Sequence, residues 1–420
     1  MAAAPAVKHD TSPPSVMMMG YNGANNTGAE ALLLADIEDV RAVLGPEALI
    51  TVPTLNPVNL RRYLREGPYL RIAPFPSIYF RALRRLVRQH DLIMLVEGSS
   101  YMDTWTSALL WAYLWVTRCA DGADRPCLAY AVDAGTLNAV DRVLVRRYAS
   151  KTGLIVVRAE EAAERLRAWG VTAPIESTAD NAFTFHPDAA DEGLLRRLWP
   201  EASGEIAGVC PVNFYLWPVV MRPWGRREDC YRWPYYFSHS AERTCSTEAL
   251  VVQYAALADC LIAQQGMSVA LICMEQLDEP LALQVREHMA RADAARVFSA
   301  REYNASQMTS LLRGLDLLLT SRYHAAVLSL AAQVPQIAVG HDLRLKTLYE
   351  ELGLAEGFFV DPHDADLCAT VLERVEHVLE DPRPIKEALS RGYDDHLQRA
   401  RHNRDLLRAF VADHGWEVVG

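Results

Sequence analysis

The 420-residue chain has no Cys-x-x-Cys pair; its eight cysteines stand apart at 119, 127, 210, 230, 245, 260, 273 and 368. That spacing argues against a structural zinc site, and in a chain this long it reads as reduced thiols, not a disulfide framework. A basic balance is also missing. Lys and Arg number 42 against 53 Asp and Glu, a formal net charge of −11. This excludes a nucleic-acid footprint, which needs a basic face. It also means that an anionic ligand requires a local cluster of cations. No run approaches the ~20 uncharged apolar residues of a membrane span; the most apolar candidate, 107–117, is short and fits a buried helix. Residues 1–15 read as a disordered tail without the apolar core of a signal peptide. These absences place the protein in the cytoplasm.

What is present is ordinary for a two-domain enzyme or binding protein: 50% hydrophobic and 23% charged residues. Short apolar strands alternate with amphipathic helices, the pattern of parallel α/β sheets. Strands are predicted at 16–19, 48–52, 91–96, 127–132, 154–157 and 175–177, with helices over 29–44 and 105–118. A second set follows at 206–210, 269–273, 296–298, 315–320 and 336–339. The break lies near Pro200–Gly204, giving an N-terminal Rossmann-like domain over 16–203 and a C-terminal one over 204–362. Residues 363–420 read as a helical segment. Within the second half, 213–246 is rich in aromatics and arginines. Such rings suit a sugar platform or a lid, with Trp217 and Trp233 as platform candidates; a packed insertion or a contact between copies in a homo-oligomer is the other reading.

The candidate site residues cluster at strand ends, where α/β folds bind ligands. Gly20, Asn22, Gly23, Asn26, Gly28 and Glu30 join the first strand to a helix. Their spacing is neither the dinucleotide fingerprint nor a P-loop. Glu97, Ser99 and Ser100 end the 91–96 strand, Asp133 the next, and Arg158 the one after. In Thr320-Ser-Arg-Tyr-His-Ala, Arg322, Tyr323 and His324 open a helix after a buried strand. Cations at a helix N-terminus are disfavoured by roughly 0.3–1 kcal/mol each unless an anion lies between them and the free amides. Two arginines and a histidine at helix starts therefore imply an anionic ligand.

The run "GYNGANNTGAEALL", the passage "VRAEEAAERLRAWGV" with "TADNAF", and "TSRYHAAVLSLAAQVPQIAVGHDLRLKTLYEELGL" together resemble the polysaccharide pyruvyl transferases over about 17–360. The resemblance implies two Rossmann-like domains facing a cleft (GT-B-like), with the N-terminal domain on the acceptor side and the C-terminal on the donor side. It implies transfer of pyruvate from phosphoenolpyruvate onto two hydroxyls of a glycan or lipid-linked saccharide, forming a ketal, as in exopolysaccharide biosynthesis. Arg158, Arg322, Tyr323, Arg344 and Lys346 would then hold the donor and His324 protonate it, with Asp180 or Asp133 as base. No cofactor and no metal are expected. A glycosyltransferase using a nucleotide sugar, or a non-catalytic sugar- or anion-binding homologue, are the alternatives.

Overall fold

A computed structural model describes all residues except 1–12, 217–218, 239, 341, 363–366 and 420. The expected tail and Trp217 therefore lie largely or wholly outside the described residues. Ser15 does not belong to a loose tail: its amide and hydroxyl both bond Asp91 Oδ2, at 3.1 and 2.7 Å.

The first sheet has seven parallel strands: β1 (Val16–Met19), β2 (Ile50–Thr54), β3 (Leu70–Pro74), β4 (Leu92–Leu95), β5 (Cys127–Val132), β6 (Leu154–Val157) and β7 (Ile175–Ser177). Their order is β3-β2-β1-β4-β5-β6-β7. The central strands β1 and β4 are buried on both faces, as their unbroken apolar sequences require. The second lobe opens with β8 (Ile206–Cys210) and carries β9 (Val219–Met221), β10 (Cys230–Arg232), β11 (Tyr235–Phe237), β12 (Ser268–Cys273), β13 (Ala295–Ser299), β14 (Leu317–Thr320), β15 (Gln336–Val339) and β16 (Phe359–Val360). Six of these form a parallel sheet, β13-β12-β8-β14-β15-β16. Each sheet thus has the doubly wound order, and the chain reverses direction across the sheet beside its first strand: between β1 and β4 in one lobe, β8 and β14 in the other.

The aromatic segment folds as a separate antiparallel sheet, β10-β11-β9. It belongs to the second lobe by sequence but docks on the first. Val219 N bonds Trp105 O at 2.8 Å, Tyr235 Oη bonds Ser77 O at 2.9 Å, and the Arg232 guanidinium reaches Leu55 O at 2.9 Å.

The lobes also meet at the cleft floor. Thr27 N donates to Met274 O at 2.8 Å and Gln276 N to Asn25 O at 3.0 Å. The hydrophobic core follows them across: Ala31, Leu32 and Ala35 from the first lobe pack in one cluster with the second-lobe sheet. The C-terminal segment is not a separate unit. Helix Leu367–Glu380 packs into the second lobe, while helix Arg383–Asp413 starts there with Leu389 and ends in the first-lobe core with Leu407, Phe410 and Val411.

One helix corrects the expectation about long apolar runs. Ala241–Gln265 is long and apolar enough to cross a membrane by length and composition. Its Leu250, Tyr254, Leu257, Ala258 and Leu261 are instead buried in the second-lobe core.

Candidate active site

Where the two reversal points face one another lies a cavity of about 320 Å3, lined from both lobes. The first lobe supplies the loop after β1 (Tyr21, Asn26, Gly28), the turn after β4 (Glu97, Ser99) and the segment Met102–Thr106; the second supplies Glu275 after β12 and Ser321–His324 after β14. Doubly wound sheets put ligands there because the loops leaving adjacent strands diverge.

His324 stands in the first turn of helix Tyr323–Leu330. Its Nε2 faces inward, 3.4 Å from Asp180 Oδ2, without a well-aligned hydrogen-bond partner. The Nδ1 edge borders Gly28 on the cleft wall; a Cβ on Gly28 would run into the imidazole ring. That contact, beyond turn geometry, is what requires glycine at 28. Asn26 caps helix Thr27–Leu44, which carries Gly28, by accepting from Ala29 N at 3.1 Å.

Arg158, Asp133 and Asp180 form a buried ionic core beneath His324. The guanidinium Nε is 3.0 Å from Asp133 Oδ2, and Nη1 bonds Asp180. The arginine side chain is 1% exposed and Asp180 0%. Burial alone would raise the Asp180 carboxyl; Arg158 and His324 overcome it and hold the group below the ordinary carboxylate range. Asp180 also caps a short turn through Ala182 N at 2.8 Å. Gly98 leaves room for this core, since a Cβ there would lie 2.5 Å from Arg158 Nη1. Tyr323 lies between two cations, 4.9 Å from Arg158 and 5.9 Å from Arg344.

These placements correct several expectations. Arg158, expected to hold the donor, is buried off the main cleft wall and lines only a small adjoining pocket with Arg165, Tyr323 and Arg344. Asp133 and Asp180, expected as base, are both turned to Arg158 and line no part of the main cleft; Asp180 lies against His324. Arg322 does line the cleft, but its Nε donates to Asp278 Oδ2 at 2.9 Å and its Nη2 lies 3.2 Å from Glu275 Oε2. The cation at this helix start is thus balanced from within, because the β12 loop brings two carboxylates to it. Arg344 lines the cleft, its charge shared with Asp342 two residues before it. Lys346 points to solvent, 57% exposed, since Leu345, Leu348 and Tyr349 turn the other helix face inward. Glu30 is no cleft residue: it is buried and accepts from Ala305 N of the second lobe at 3.0 Å. Ser100 bonds back to Glu97 O. Gly23, at φ +76°, packs against Asn56 O, while Gly20 and Asn22 line a neighbouring cavity. Trp233 is 55% exposed and lines neither cavity.

The structure also adds residues that the sequence reading passed over. Arg165 lines the cleft; its Nη1 donates to Ala134 O at 2.7 Å, and among the described residues it has no carboxylate partner. Glu275 lines the opposite wall, accepting from Tyr21 Oη at 3.3 Å. Burial pushes its carboxyl up to about 7 against the opposing pull of Arg322. A signal existed for this group, since Glu275 and Asp278 follow β12 at the carboxyl end of the sheet. Arg165 carried only its place in a helix beginning at that edge. Among the described residues, no three His, Cys, Asp or Glu side chains are grouped to hold a metal ion.

Comparison with known proteins now supplies the family. The polysaccharide pyruvyl transferase family model matches residues 26–342, well over half of the chain. No curated protein matches it in sequence. Among solved structures it is similar to Anabaena HepE in complex with UDP-glucose (13% identity, TM-score 0.60, 95% of this chain and 100% of that one). It is likewise similar to the UDP-GlcNAc 2-epimerase of Neisseria meningitidis bound to UDP-GlcNAc (7%, 0.60, 95% and 99%). A glycosyltransferase from Rickettsia africae also aligns (10%, 0.56, 95% and 98%). At such identities these establish the GT-B-like fold alone. The chain belongs to the polysaccharide pyruvyl transferase family and is a transferase.

Proposed function

We propose, from that membership, that the cleft transfers pyruvate from phosphoenolpyruvate onto two hydroxyls of a saccharide acceptor, forming a ketal. The observation that carries this reading is His324: a cleft-lining ring at a helix N-terminus, with a carboxylate behind Nε2 and its Nδ1 edge against Gly28 of the opposite lobe. With Asp180 3.4 Å behind Nε2, Nδ1 is assigned the exchange of protons with a substrate, and the carboxylate stabilises the charged ring, as in carboxylate–histidine pairs generally. Protonation of the enol carbon by His324 leaves a cationic centre at the neighbouring carbon. One acceptor hydroxyl attacks it and passes its proton to Glu275. Phosphate departs with that proton, the cation re-forms, and the second hydroxyl closes the ring while His324 recovers a proton. Arg165, Arg344 and the free amides opening helix Tyr323–Leu330 are the groups suited to the donor's phosphate and carboxylate. Arg322, balanced by Glu275 and Asp278, fixes the Glu275 wall.

Eight free cysteines suit a cytoplasmic setting, where such thiols stay reduced. The test is phosphate release from phosphoenolpyruvate in the presence of a saccharide panel, with UDP-sugars as the competing donor. Turnover with phosphoenolpyruvate alone, lost in His324→Ala, is expected. Glycosyl transfer from a UDP-sugar, or equal phosphate release by His324→Ala, would overturn the assignment.

A further inference from the structure

Beside the cleft lies a second cavity of about 310 Å3, at the lower end of the roughly 300–1,000 Å3 typical of ligand pockets. The two share Tyr21, Trp105, Thr106 and Leu109 as a common wall. That wall is an aromatic partition: Trp105 meets Tyr21 edge-on at 5.7 Å and Tyr231 at 5.2 Å. Tyr21 Oη and Tyr231 Oη are 3.1 Å apart, a side-chain hydrogen bond that joins the partition to the insertion beside the Val219–Trp105 backbone bond.

The chemistry of the second cavity differs from that of the first. Among the described residues no carboxylate lines it, and the one charged lining residue, Arg232, is committed to Leu55 O and Asn56 Oδ1 at 2.9 and 3.0 Å. The chamber thus holds a single guanidinium, with both terminal nitrogens engaged by neutral oxygens. Its walls are aromatic faces, among them Phe75, Tyr79 and Tyr235, and polar amides sit at the edges, including Asn59 and Gln276. Flat apolar faces bordered by neutral donors and acceptors match one kind of group: a sugar ring, whose C–H face stacks while its hydroxyls pair with amides. A lipid tail would leave the amides unmatched, and a phosphate would meet one guanidinium whose terminal nitrogens are already bonded.

We propose that this chamber, roofed by the β9–β11 insertion, is an acceptor subsite for the neutral sugar residue adjoining the one that reacts, so the enzyme takes acceptors of at least two rings. The proposal rests on the reading of the neighbouring cleft only for which ring is modified. The insertion then selects chain length, since it supplies Tyr231, Arg232 and Tyr235 from one lobe to a cavity in the other.

Fluorescently labelled full-length protein on an array of mono- to tetrasaccharides and alkyl glycosides tests this. Disaccharides and longer glycans should bind at least tenfold more tightly than their terminal monosaccharides. Ala108→Phe fills the second cavity without touching the first, and Asn59→Ala removes a polar edge without adding bulk. Each should weaken glycan binding at least fivefold, with thermal melting reporting that the variants remain folded. Equal binding of monosaccharides, preference for alkyl chains, no bound glycan, or wild-type binding by both folded variants would overturn the subsite. Glycans that bind but release no phosphate from phosphoenolpyruvate refute the proposed reaction and leave the chamber standing. Phosphate release with binding insensitive to both variants refutes the chamber alone.

Discussion

Gly28→Ala gives a sharp test of the His324 geometry because it needs no substrate. Gly28 is buried in the first turn of helix Thr27–Leu44, where alanine would ordinarily favour the helix by up to about 1 kcal/mol. Here the added methyl would collide with the imidazole of His324, a ring held on its other side by Asp180. Overpacking of this kind costs about 1–3 kcal/mol. The prediction is therefore a change of sign: Gly28→Ala destabilises the wild type, yet is neutral or stabilising in a His324→Ala background. The coupling between the two positions should fall at about 1–3 kcal/mol, within the range for residues in contact. Urea denaturation of the four proteins, followed by tryptophan fluorescence, measures it. An equal shift of the midpoint in both backgrounds would show that the ring does not lie over Gly28, and the proton-transfer role given to Nδ1 would fall with it.

Other consequences are equally direct. Glu275 titrates near 7, so if its ionised form accepts the acceptor proton, turnover rises with pH through about 7; Glu275→Gln should cut turnover by about 10²–10⁴ and abolish that limb, and an unchanged pH–rate profile would exclude it as base. Arg158→Met leaves Asp133 and Asp180 buried without their counter-ion, a loss of about 3–5 kcal/mol that a further Asp133→Asn change should partly restore; a melting temperature equal to wild type would contradict the ionic core. Glu30 has its carboxyl raised from 4.5 to about 8, chiefly by burial. The folded state therefore keeps a proton that the unfolded state releases, and stability falls as pH rises between these values. Glu30→Gln should flatten that fall, by at most about 5 kcal/mol at roughly 1.4 kcal/mol per unit, as denaturation at pH 5 and pH 9 would measure; parallel curves would refute it.

The parallel-sheet strands were legible because each is a short apolar run between turn residues. Cys127–Val132, Leu154–Val157 and Gln336–Val339 fall where the pattern places them. β3 was not, since Leu-Arg-Ile-Ala-Pro alternates and ends in proline. The β9–β11 sheet was hidden among polar and aromatic residues whose partners lie in the other lobe. The site was legible as a set of strand ends, but its electrostatics were not. A helix dipole acts locally and can be read from sequence, whereas the carboxylates that answer Arg322 and Arg158 come from 44 residues earlier and 22 residues later in the chain. Likewise Lys346 and Arg344 sit two apart on one helix, and only packing decides which of them reaches the cleft.

Helix Arg383–Asp413 has a consequence for motion. At 31 residues it spans about 46 Å, rooted in one lobe and anchored in the other by Asn403 to Ala179 O and Arg404 to Asp39. Such a strut resists any wide swing of the halves. Entry and exit of large molecules must then depend on smaller shifts of the surface segments above the opening, and the aromatic flap reaching across is the piece whose fastening would set the pace of release.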